Sequence, residues 1–418
     1  MRTPDREFRH GERGAILLFF GASVLSLFLV AALALDLGAA YVTTTNLSKA
    51  VDAGALAGAR YTMMGQSAME EVISQVADAN FGTTEDENYV PNFDVTIWSP
   101  ATDTTRVRVS GSVNAPTYFS KLFGKQDIPV VAEAEATRYP LDMSLVLDLS
   151  YSLERNNAFD DMQEAANGFL DFFDDNVDRF GLVTYSTWGA EQMALQKNFK
   201  SAGQTIIDNL EAISDTNIEA GLEIAKNQLD VAFPRTEALK MVVLFTDGRP
   251  TAFSDNFRMK DGHDPLWYEG AVAGYINGSS YRGLFQTADG YKIDYFSSGN
   301  PVLVSNGSGT GSPKPKYLPG GASVNGPNIR QVGADQAEVW ANTLRAAGYT
   351  VFTIGLGNPD AIYEGDTPDL DFLERLANQD GISSADQPKG EMLFAPTPSE
   401  LNATFAMLAD RIITRLTR

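Results

Sequence analysis

The first hydrophobic run of the chain is long and carries no charge. It covers residues 15–35, between a basic flank at residues 1–14 and Asp36. A helix of about 20 apolar residues crosses a bilayer, whereas a buried core helix of this length would carry a polar stripe. The pattern therefore predicts one transmembrane helix. Because basic residues stay on the cytoplasmic side, the expected location is the inner membrane, with the bulk of the chain in the periplasm or otherwise outside the cytoplasm.

The segment after this run keeps a helical pattern but changes to small residues. Alanine and glycine recur at spacings of three and four, at Ala50, Ala53, Gly54, Ala57 and Gly58. Small residues on one helix face allow another element to approach closely. We expect one long helix that leaves the membrane and packs against a partner or against the domain that follows.

Three segments with strand patterns follow this helix, at residues 92–98, 105–113 and 128–139. In the second segment valine alternates with arginine and serine. Alternation with a period of two is typical of a strand with one buried face. Residues 36–140 are therefore expected to form a small α+β stalk, and they contain no motif for chemistry.

From Leu141 onward, apolar strands alternate with amphipathic helices. The runs with the clearest strand pattern are MSLVLDLS, RFGLVTYS, LKMVVLFTDG and YTVFTIGLG. Such strands indicate a parallel sheet that is covered on both faces. We expect a doubly wound, mostly parallel, Rossmann-like α/β domain over residues 141–418, with ligands bound at the carboxyl ends of its strands.

One long segment, residues 249–333, interrupts this alternation before the helix that is expected from Ala334. Compact domains connect such elements with far fewer residues, and residues 305–321 are expected to be a loop. Aromatic residues in Gly/Ser/Asn-rich surroundings are common in binding surfaces. The insertion is thus either a recognition surface or a decoration whose aromatic residues fill a small core of their own. These aromatic residues are Trp267, Tyr268, Tyr275, Tyr281, Phe285, Tyr291, Tyr295 and Phe296.

Composition narrows the chemistry open to this chain. Its 418 residues have a net charge of −22 and a pI of about 4.4, so it lacks the basic balance that nucleic-acid binding requires. A strongly acidic chain favours cationic ligands. It has no cysteine, and His10 and His263 are its only histidines. Thiolate chemistry and cysteine-based zinc sites are therefore excluded, and a Ser-His-Asp triad would have to use one of these two histidines.

Five oxygen-bearing side chains follow strands or precede a helix of the predicted α/β domain. Asp148, Ser150 and Ser152 end the first strand, Thr216 precedes a helix, and Asp247 ends a later strand. Carboxylates and hydroxyls are hard ligands that suit Mg²⁺, Mn²⁺ or Ca²⁺. The sequence predicts a divalent-cation site, with Mg²⁺ as the leading candidate and Mn²⁺ or Ca²⁺ as alternatives. An open coordination position on the ion would attract an external carboxylate, and nearby helix N-termini would reinforce that attraction.

The N-terminal motifs RGAILLFF, ALDLGAAYV and NLSKAVDAGALAGA resemble those of TadG-like proteins of Flp (tight adherence) pilus assembly. The resemblance covers about residues 13–59. In that family a basic flank and a membrane helix lead into an alanine-rich stretch. The helix and strands of residues 36–140 resemble the pilin-like part of Tad proteins.

The three polar clusters, in this order, resemble the metal-ion-dependent adhesion site (MIDAS) of the von Willebrand factor A domain. The resemblance covers about residues 141–250 and 334–418. It implies that Asp148, Ser150 and Ser152 form the first ligand loop, Thr216 the second and Asp247 the third. It also implies a non-enzymatic adhesion or pilus-assembly protein. Its partners are expected to be pilus or pilus-assembly proteins that offer an acidic residue to the metal. Formation of oligomers by the chain is an open alternative.

Two other functions remain open at this stage. A phosphatase-like hydrolase could use Asp148 at the strand end, although a haloacid-dehalogenase pattern would need a second aspartate at Ser150. A metal-binding structural scaffold without an adhesive partner would use the same five ligands.

Overall fold

The structure is a computed structural model of the chain. It describes residues 10–62, 65–82, 89–99, 103–231, 235, 237–258, 267–274, 281–286, 292–294, 325–357 and 368–417. The chain divides into two compact units. The N-terminal unit comprises residues 1–138 with residues 417–418, and the C-terminal unit comprises residues 139–416.

The N-terminal unit begins with one continuous helix, α1 (His10–Arg60), of 51 residues. Within the described part of the chain, one helix is long and apolar enough to cross a membrane. It covers Leu17–Arg60, and its most apolar window has a mean hydropathy of 2.5 and is not buried by the protein. A second helix, α2 (Gln66–Phe81), buries Met69, Ile73, Ala77 and Phe81. Helix α2 was not predicted from the sequence.

A three-stranded antiparallel sheet completes the N-terminal unit, with β1 (Asn92–Trp98), β2 (Thr105–Pro116) and β3 (Asp127–Arg138) in that order. Every second residue of β2 is buried. The small-residue face of α1 contacts α2 and β2. A Cβ atom at Gly58 would lie 2.7 Å from side-chain atoms of both Ile73 and Val107. Glycine at this position therefore allows helix and sheet to approach closely.

The C-terminal unit is an α/β domain with an inserted sheet. In chain order its elements are β4 (Leu141–Asp148), α3 (Tyr151–Arg155), α4 (Phe159–Asp171), β5 (Arg179–Tyr185), β6 (Gly189–Gln196), α5 (Lys200–Asp208), α6 (Ile218–Val231), β7 (Leu239–Thr246), β8 (Ala252–Arg258), β9 (Trp267–Gly274), β10 (Tyr281–Phe285), β11 (Lys292–Asp294), α7 (Gly326–Ala346), β12 (Thr350–Leu356), α8 (Leu370–Ala377), β13 (Met392–Ala395) and α9 (Leu401–Leu416).

The main sheet has six strands in the order β13-β12-β7-β4-β5-β6. All neighbouring pairs are parallel except β5 and β6, which are antiparallel. The predicted doubly wound, mostly parallel α/β domain is therefore confirmed. The antiparallel edge strand β6 was not predicted.

Helices cover both faces of this sheet. On one face α4, α5 and α9 pack around aromatic residues, and the ring of Phe169 lies edge-to-face at 5.0 Å from Phe173 and at 5.5 Å from Phe405. On the other face α6, α7 and α8 pack against apolar side chains such as Val146 and Val183. Because both faces are buried, the strands leave only their ends for a ligand.

The insertion forms a second, four-stranded antiparallel sheet in the order β11-β10-β9-β8. Its predicted end at Gly333 is wrong, because α7 already begins at Gly326. Asn325 caps that helix by accepting a hydrogen bond from the Asn328 N–H, and a proline stands in the first turn, where it needs no hydrogen-bond partner. The predicted loop at residues 305–321 lies outside the described residues, as do the side chains of the aromatic residues named above, with the exception of Phe285.

Candidate metal centre

The first loop of the candidate site is shaped by its own aspartate. Asp148 is the last residue of β4, and its Oδ1 accepts the backbone N–H of Ser150 at 2.8 Å. This local bond turns the chain from the strand into α3. Ser150 is the N-cap residue of α3, yet its side chain makes no capping hydrogen bond. Its hydroxyl lies instead 3.0 Å from the hydroxyl of Ser152.

The third loop meets the first. The hydroxyls of Ser152 and Ser150 lie 2.7 Å and 3.3 Å from Oδ1 of Asp247. Asp148, Ser150, Ser152 and Asp247 are all buried, with at most 9% of each residue exposed. The structure thus brings two carboxylates and two hydroxyls together at the carboxyl end of the parallel strands.

Thr216 belongs to a second loop that pairs with the first. Ser150 and Ser214 form a parallel bridge, and the Tyr151 N–H donates to the Ser214 carbonyl at 2.9 Å. Thr216 follows two residues later and is buried. All three predicted ligand loops therefore lie at one edge of the sheet, although the contact between the first and second loops is made by backbone atoms.

Strand β4 carries a buried aspartate near each end, and the negative charges of the two are balanced in different ways. At its start, Asp142 forms ion pairs with Arg179 and Arg235. At its end, within the described part of the chain, Asp148 accepts from neutral donors: Oδ2 receives the Thr246 hydroxyl at 2.7 Å and the Tyr185 hydroxyl at 3.2 Å. Burying a carboxylate without a cation is costly.

The lack of a cationic partner for Asp148 among the described residues affects the pKa values of the site. Burial raises the pKa of Asp148 to about 6, against the opposing effect of hydrogen bonds from Ser150 and Thr246. Burial and the neighbouring Asp148 carboxylate also raise the pKa of Tyr185. A divalent cation is the ligand that would offset such a concentration of buried negative charge.

The donor set fits a hard cation. It consists of carboxylate and hydroxyl oxygens, which Mg²⁺, Mn²⁺ and Ca²⁺ prefer. Among the described residues, no group of three or more His, Cys, Asp or Glu side chains is arranged to hold a metal ion. The two carboxylates would therefore need hydroxyl oxygens beside them to complete a binding site.

An arginine of the insertion balances the negative charge of another buried aspartate, which stands next to Thr216 in the sequence. Asp215 is buried, and its Oδ1 accepts a hydrogen bond from Arg282 of β10 at 2.6 Å. Its Oδ2 accepts the hydroxyls of Thr187 at 2.9 Å and of Ser214 at 3.1 Å. Arg282 could not be predicted from the sequence, because nothing in its spacing links it to the metal motif.

The start of the insertion also holds the second ligand loop in place. The Thr216 N–H donates to the Thr251 hydroxyl at 2.9 Å, and the N–H groups of Thr251 and Ala252 donate to the Thr216 carbonyl at 2.8 Å and 3.2 Å. Ser254 donates its N–H to Glu219 in the first turn of α6. The insertion is thus bonded to the loop that carries one of the candidate ligands.

The buried carboxyl group of Glu219 is expected to make the stability of this junction depend on pH. We expect the Glu219→Gln variant to exceed the wild type in stability at about pH 9 and to equal it near pH 5. Burial raises the pKa of Glu219 from 4.5 to about 8, so the folded protein holds this proton more tightly than the unfolded chain. Stability therefore falls as pH rises from the unfolded pKa through the folded pKa, and the variant should gain on the order of 1–3 kcal/mol above it.

Urea unfolding of both proteins at the two pH values measures this difference. Glu211→Gln is the control, because Glu211 is exposed and its replacement should change stability little at either pH. A gain for Glu219→Gln that is the same at both pH values would contradict ionisation as its cause.

Two protein-family models match the chain. Residues 142–261 match the von Willebrand factor type A domain, and residues 14–60 match the putative Flp pilus-assembly TadE/G-like family. The chain therefore combines a Tad-like N-terminal segment with a von Willebrand factor A domain. This combination supports a pilus-associated adhesion protein, and both families are typical of assembly and adhesion rather than catalysis.

No curated protein matches the chain, but solved structures show similarity to it. The von Willebrand domain of the type V pili tip protein Mfa5 from Porphyromonas gingivalis is 18% identical with a TM-score of 0.43, over 67% of this chain and 97% of that one. The pilus adhesin SpaC from Lactobacillus rhamnosus GG is 14% identical with a TM-score of 0.43, over 80% of this chain and 36% of SpaC.

A third similar structure is proximal thread matrix protein 1 from the mussel byssus, with a zinc-occupied MIDAS motif. It is 17% identical with a TM-score of 0.37, over 67% of this chain and 46% of that one. This chain thus spans about a third of SpaC and less than half of the mussel protein.

Proposed function

We propose that the protein is a membrane-anchored component of Tad/Flp pilus assembly or adhesion that binds protein partners through a metal ion. The observation that carries this proposal is the pair of buried carboxylates at the carboxyl end of the sheet: Asp148 accepts only neutral donors among the described residues, and Asp247 accepts the hydroxyls of Ser150 and Ser152. Asp148, Ser150, Ser152, Thr216 and Asp247 would hold the ion. Mg²⁺ is the proposed ion, with Mn²⁺ or Ca²⁺ as alternatives.

The bound ion would supply positive charge at the end of the sheet. Helices cover both faces of the sheet, so a partner would have to approach this charge from the carboxyl end of the strands. A carboxylate from a partner protein is the ligand that such a centre attracts. Arg282 and the start of the insertion lie beside the Thr216 loop, so the partner is proposed to contact the insertion as well as the ion.

The anchoring part of the proposal rests on α1. Its stretch from residue 17 has the hydropathy and length of a membrane span, and the arginines of residues 1–14 precede it. The proposed location is the inner membrane, with residues 36–418 outside the cytoplasm.

Protease added to spheroplasts is expected to degrade both compact units while the cells stay sealed. The reason is the orientation set by the basic flank, which keeps the N-terminus inside. Detection of the fragments with antibodies against residues 139–416 measures the loss, and a cytoplasmic enzyme that stays intact is the control for sealing. Full protection of the chain from the protease would contradict the proposed orientation. It would leave the proposal of a metal centre untouched.

A further inference from the structure

The turn between β2 and β3 is tied to α1 at the end of its apolar run. Asp36 is the first charged residue after residues 15–35, and it is 1% exposed. Its carboxylate accepts three backbone N–H groups, from Tyr118 at 2.7 Å, from Phe119 at 3.1 Å and from Ser120 at 2.7 Å. The turn therefore lies beside α1 at Asp36, where the apolar run of residues 15–35 ends.

The turn is ordered by its own hydrogen bonds and by a short helix. The Thr117 N–H donates to the Gln126 carbonyl at 3.1 Å, and a short 3₁₀ helix occupies Ser120–Phe123. Gly124 adopts a left-handed conformation after that helix, with φ of 86°, which glycine adopts without strain. Residues 117–126, here named the β2–β3 turn, are thus held in one arrangement against α1.

This ordered turn exposes large apolar side chains. The exposed fractions are 76% for Leu122, 74% for Phe123, 59% for Tyr118 and 40% for Phe119. Soluble surfaces rarely gather several such residues within six positions, and those that do mark an interaction site. Helix α1 is also apolar at this level, since Leu33, Leu35, Leu37 and Tyr41 are 54%, 59%, 55% and 74% exposed.

The charge of the turn is opposite to that of the chain. Residues 117–126 contain Lys121 and Lys125 and no acidic residue, and both lysines are exposed. The chain as a whole has a net charge of −22. Aromatic rings at the headgroup level and lysines that reach lipid phosphates are typical of membrane–water interfaces.

We propose that the β2–β3 turn is a second membrane contact, which inserts Tyr118, Phe119, Leu122 and Phe123 into the leaflet from which α1 emerges. This inference rests on the proposed membrane crossing of α1. The side chains enter about 5–10 Å into the headgroup and acyl boundary, and Lys121 and Lys125 contact lipid phosphates. The N-terminal unit is thereby held to the bilayer at two points, which fixes its tilt rather than leaving it to rotate about a single helix.

The absence of cysteine from the chain makes a direct test practical. Single-cysteine variants Leu122→Cys and Phe123→Cys of the full chain are labelled with an environment-sensitive fluorophore and placed in nanodiscs that contain anionic lipid. Lipids carrying quenchers at the headgroup or along the acyl chain report the depth of each probe. We expect quenching of the probes at 122 and 123 by headgroup and upper-chain quenchers to be several-fold stronger than that of a control probe.

The control probe is Ser67→Cys, in the exposed first turn of α2. Residues 36–60 of α1, which separate the level of the β2–β3 turn from the end of α1 where α2 follows, span about 36 Å of helix. The probe at position 67 should therefore show little quenching. A third probe, Ser26→Cys, lies within the apolar run and tests the crossing itself. Its quenching by deep acyl-chain quenchers, together with that of residues 122 and 123 at the surface, would support the inference.

The other outcomes separate the two proposals. If the Ser26 probe is quenched and the turn probes behave like Ser67, the second contact is wrong while the membrane helix stands. If no probe is quenched, the crossing of α1 fails as well. If the turn probes escape lipid quenchers but Leu122→Cys chains form disulfide-linked dimers, the turn contacts a second copy of the chain and the membrane contact is rejected.

Discussion

Asp247→Ala is expected to abolish binding of Mg²⁺ and Mn²⁺ while the α/β fold persists. Asp247 lies at the end of β7, where its carboxylate accepts the hydroxyls of Ser152 and Ser150, so its loss removes one of the two charged donors of the site. Asp148→Ala should have the same effect on metal binding. Isothermal titration calorimetry on the full chain in nanodiscs measures the affinities.

Thermal unfolding provides a second measurement on the same samples. A metal that binds only the folded state stabilises it by about 2.7 kcal/mol at a hundred times its dissociation constant. The wild type should therefore gain stability with Mg²⁺, and the two variants should gain none. Asp160→Ala is the matched control, because Asp160 is an exposed aspartate in the first turn of α4. Undiminished binding by both site variants would place the metal elsewhere.

The sequence predicted the central strands of the C-terminal unit because these strands are buried on both faces. Residues 141–148 are buried throughout, so their apolar run is visible without knowledge of their neighbours. The edge strand β6 differs, since four of its eight residues, including Glu191 and Gln192, are exposed and its pairing with β5 shifts register. What defines β6 is its hydrogen bonding to β5, and composition does not reveal that.

The sequence of α2 does contain a helical signal. Met69, Ile73, Ala77 and Phe81 recur every four residues and form its buried stripe, as expected of an amphipathic helix. The strands of the insertion had a weaker signal. Strands β10 and β11 have only five and three residues, β9 and β10 contain glycine, and the strands pair with one another across intervening segments.

The candidate ligands could be predicted because each one follows a strand or precedes a helix with a clear pattern. Their surroundings could not. Arg282 reaches Asp215 across 67 positions of sequence, and Thr251 reaches Thr216 across 35. Such pairs arise from the way in which the inserted sheet folds over the strand ends, and no local periodicity encodes them.

These contacts decide which variant can test the role of the insertion. Replacing the whole insertion by a linker would remove the Thr251 and Ala252 hydrogen bonds to Thr216 and so disturb the metal centre itself. A single substitution at Arg282 leaves this backbone arrangement in place. It therefore separates the contribution of the insertion to partner binding from its contribution to the ligand loop.

Arg282→Ala is expected to strengthen cation binding and to weaken binding of an acidic partner. Arg282 forms an ion pair with the buried carboxylate of Asp215, next to Thr216. Removing the arginine leaves a negative charge beside the site that attracts the metal and repels the partner's carboxylate. An effect of about 1 kcal/mol, or roughly fivefold, is expected for each ligand at low ionic strength, and it should shrink as salt is added.

Calorimetry with Mn²⁺ measures the first effect, and metal-dependent capture of partners from native envelopes measures the second. Arg282→Lys keeps the charge and should stay close to the wild type in both. The double variant Asp215→Asn with Arg282→Ala removes both charges and should largely restore both affinities, which makes a double-mutant cycle. If Arg282→Ala weakens metal and partner binding together, Arg282 acts by holding the Thr216 loop in position, and the electrostatic role is rejected.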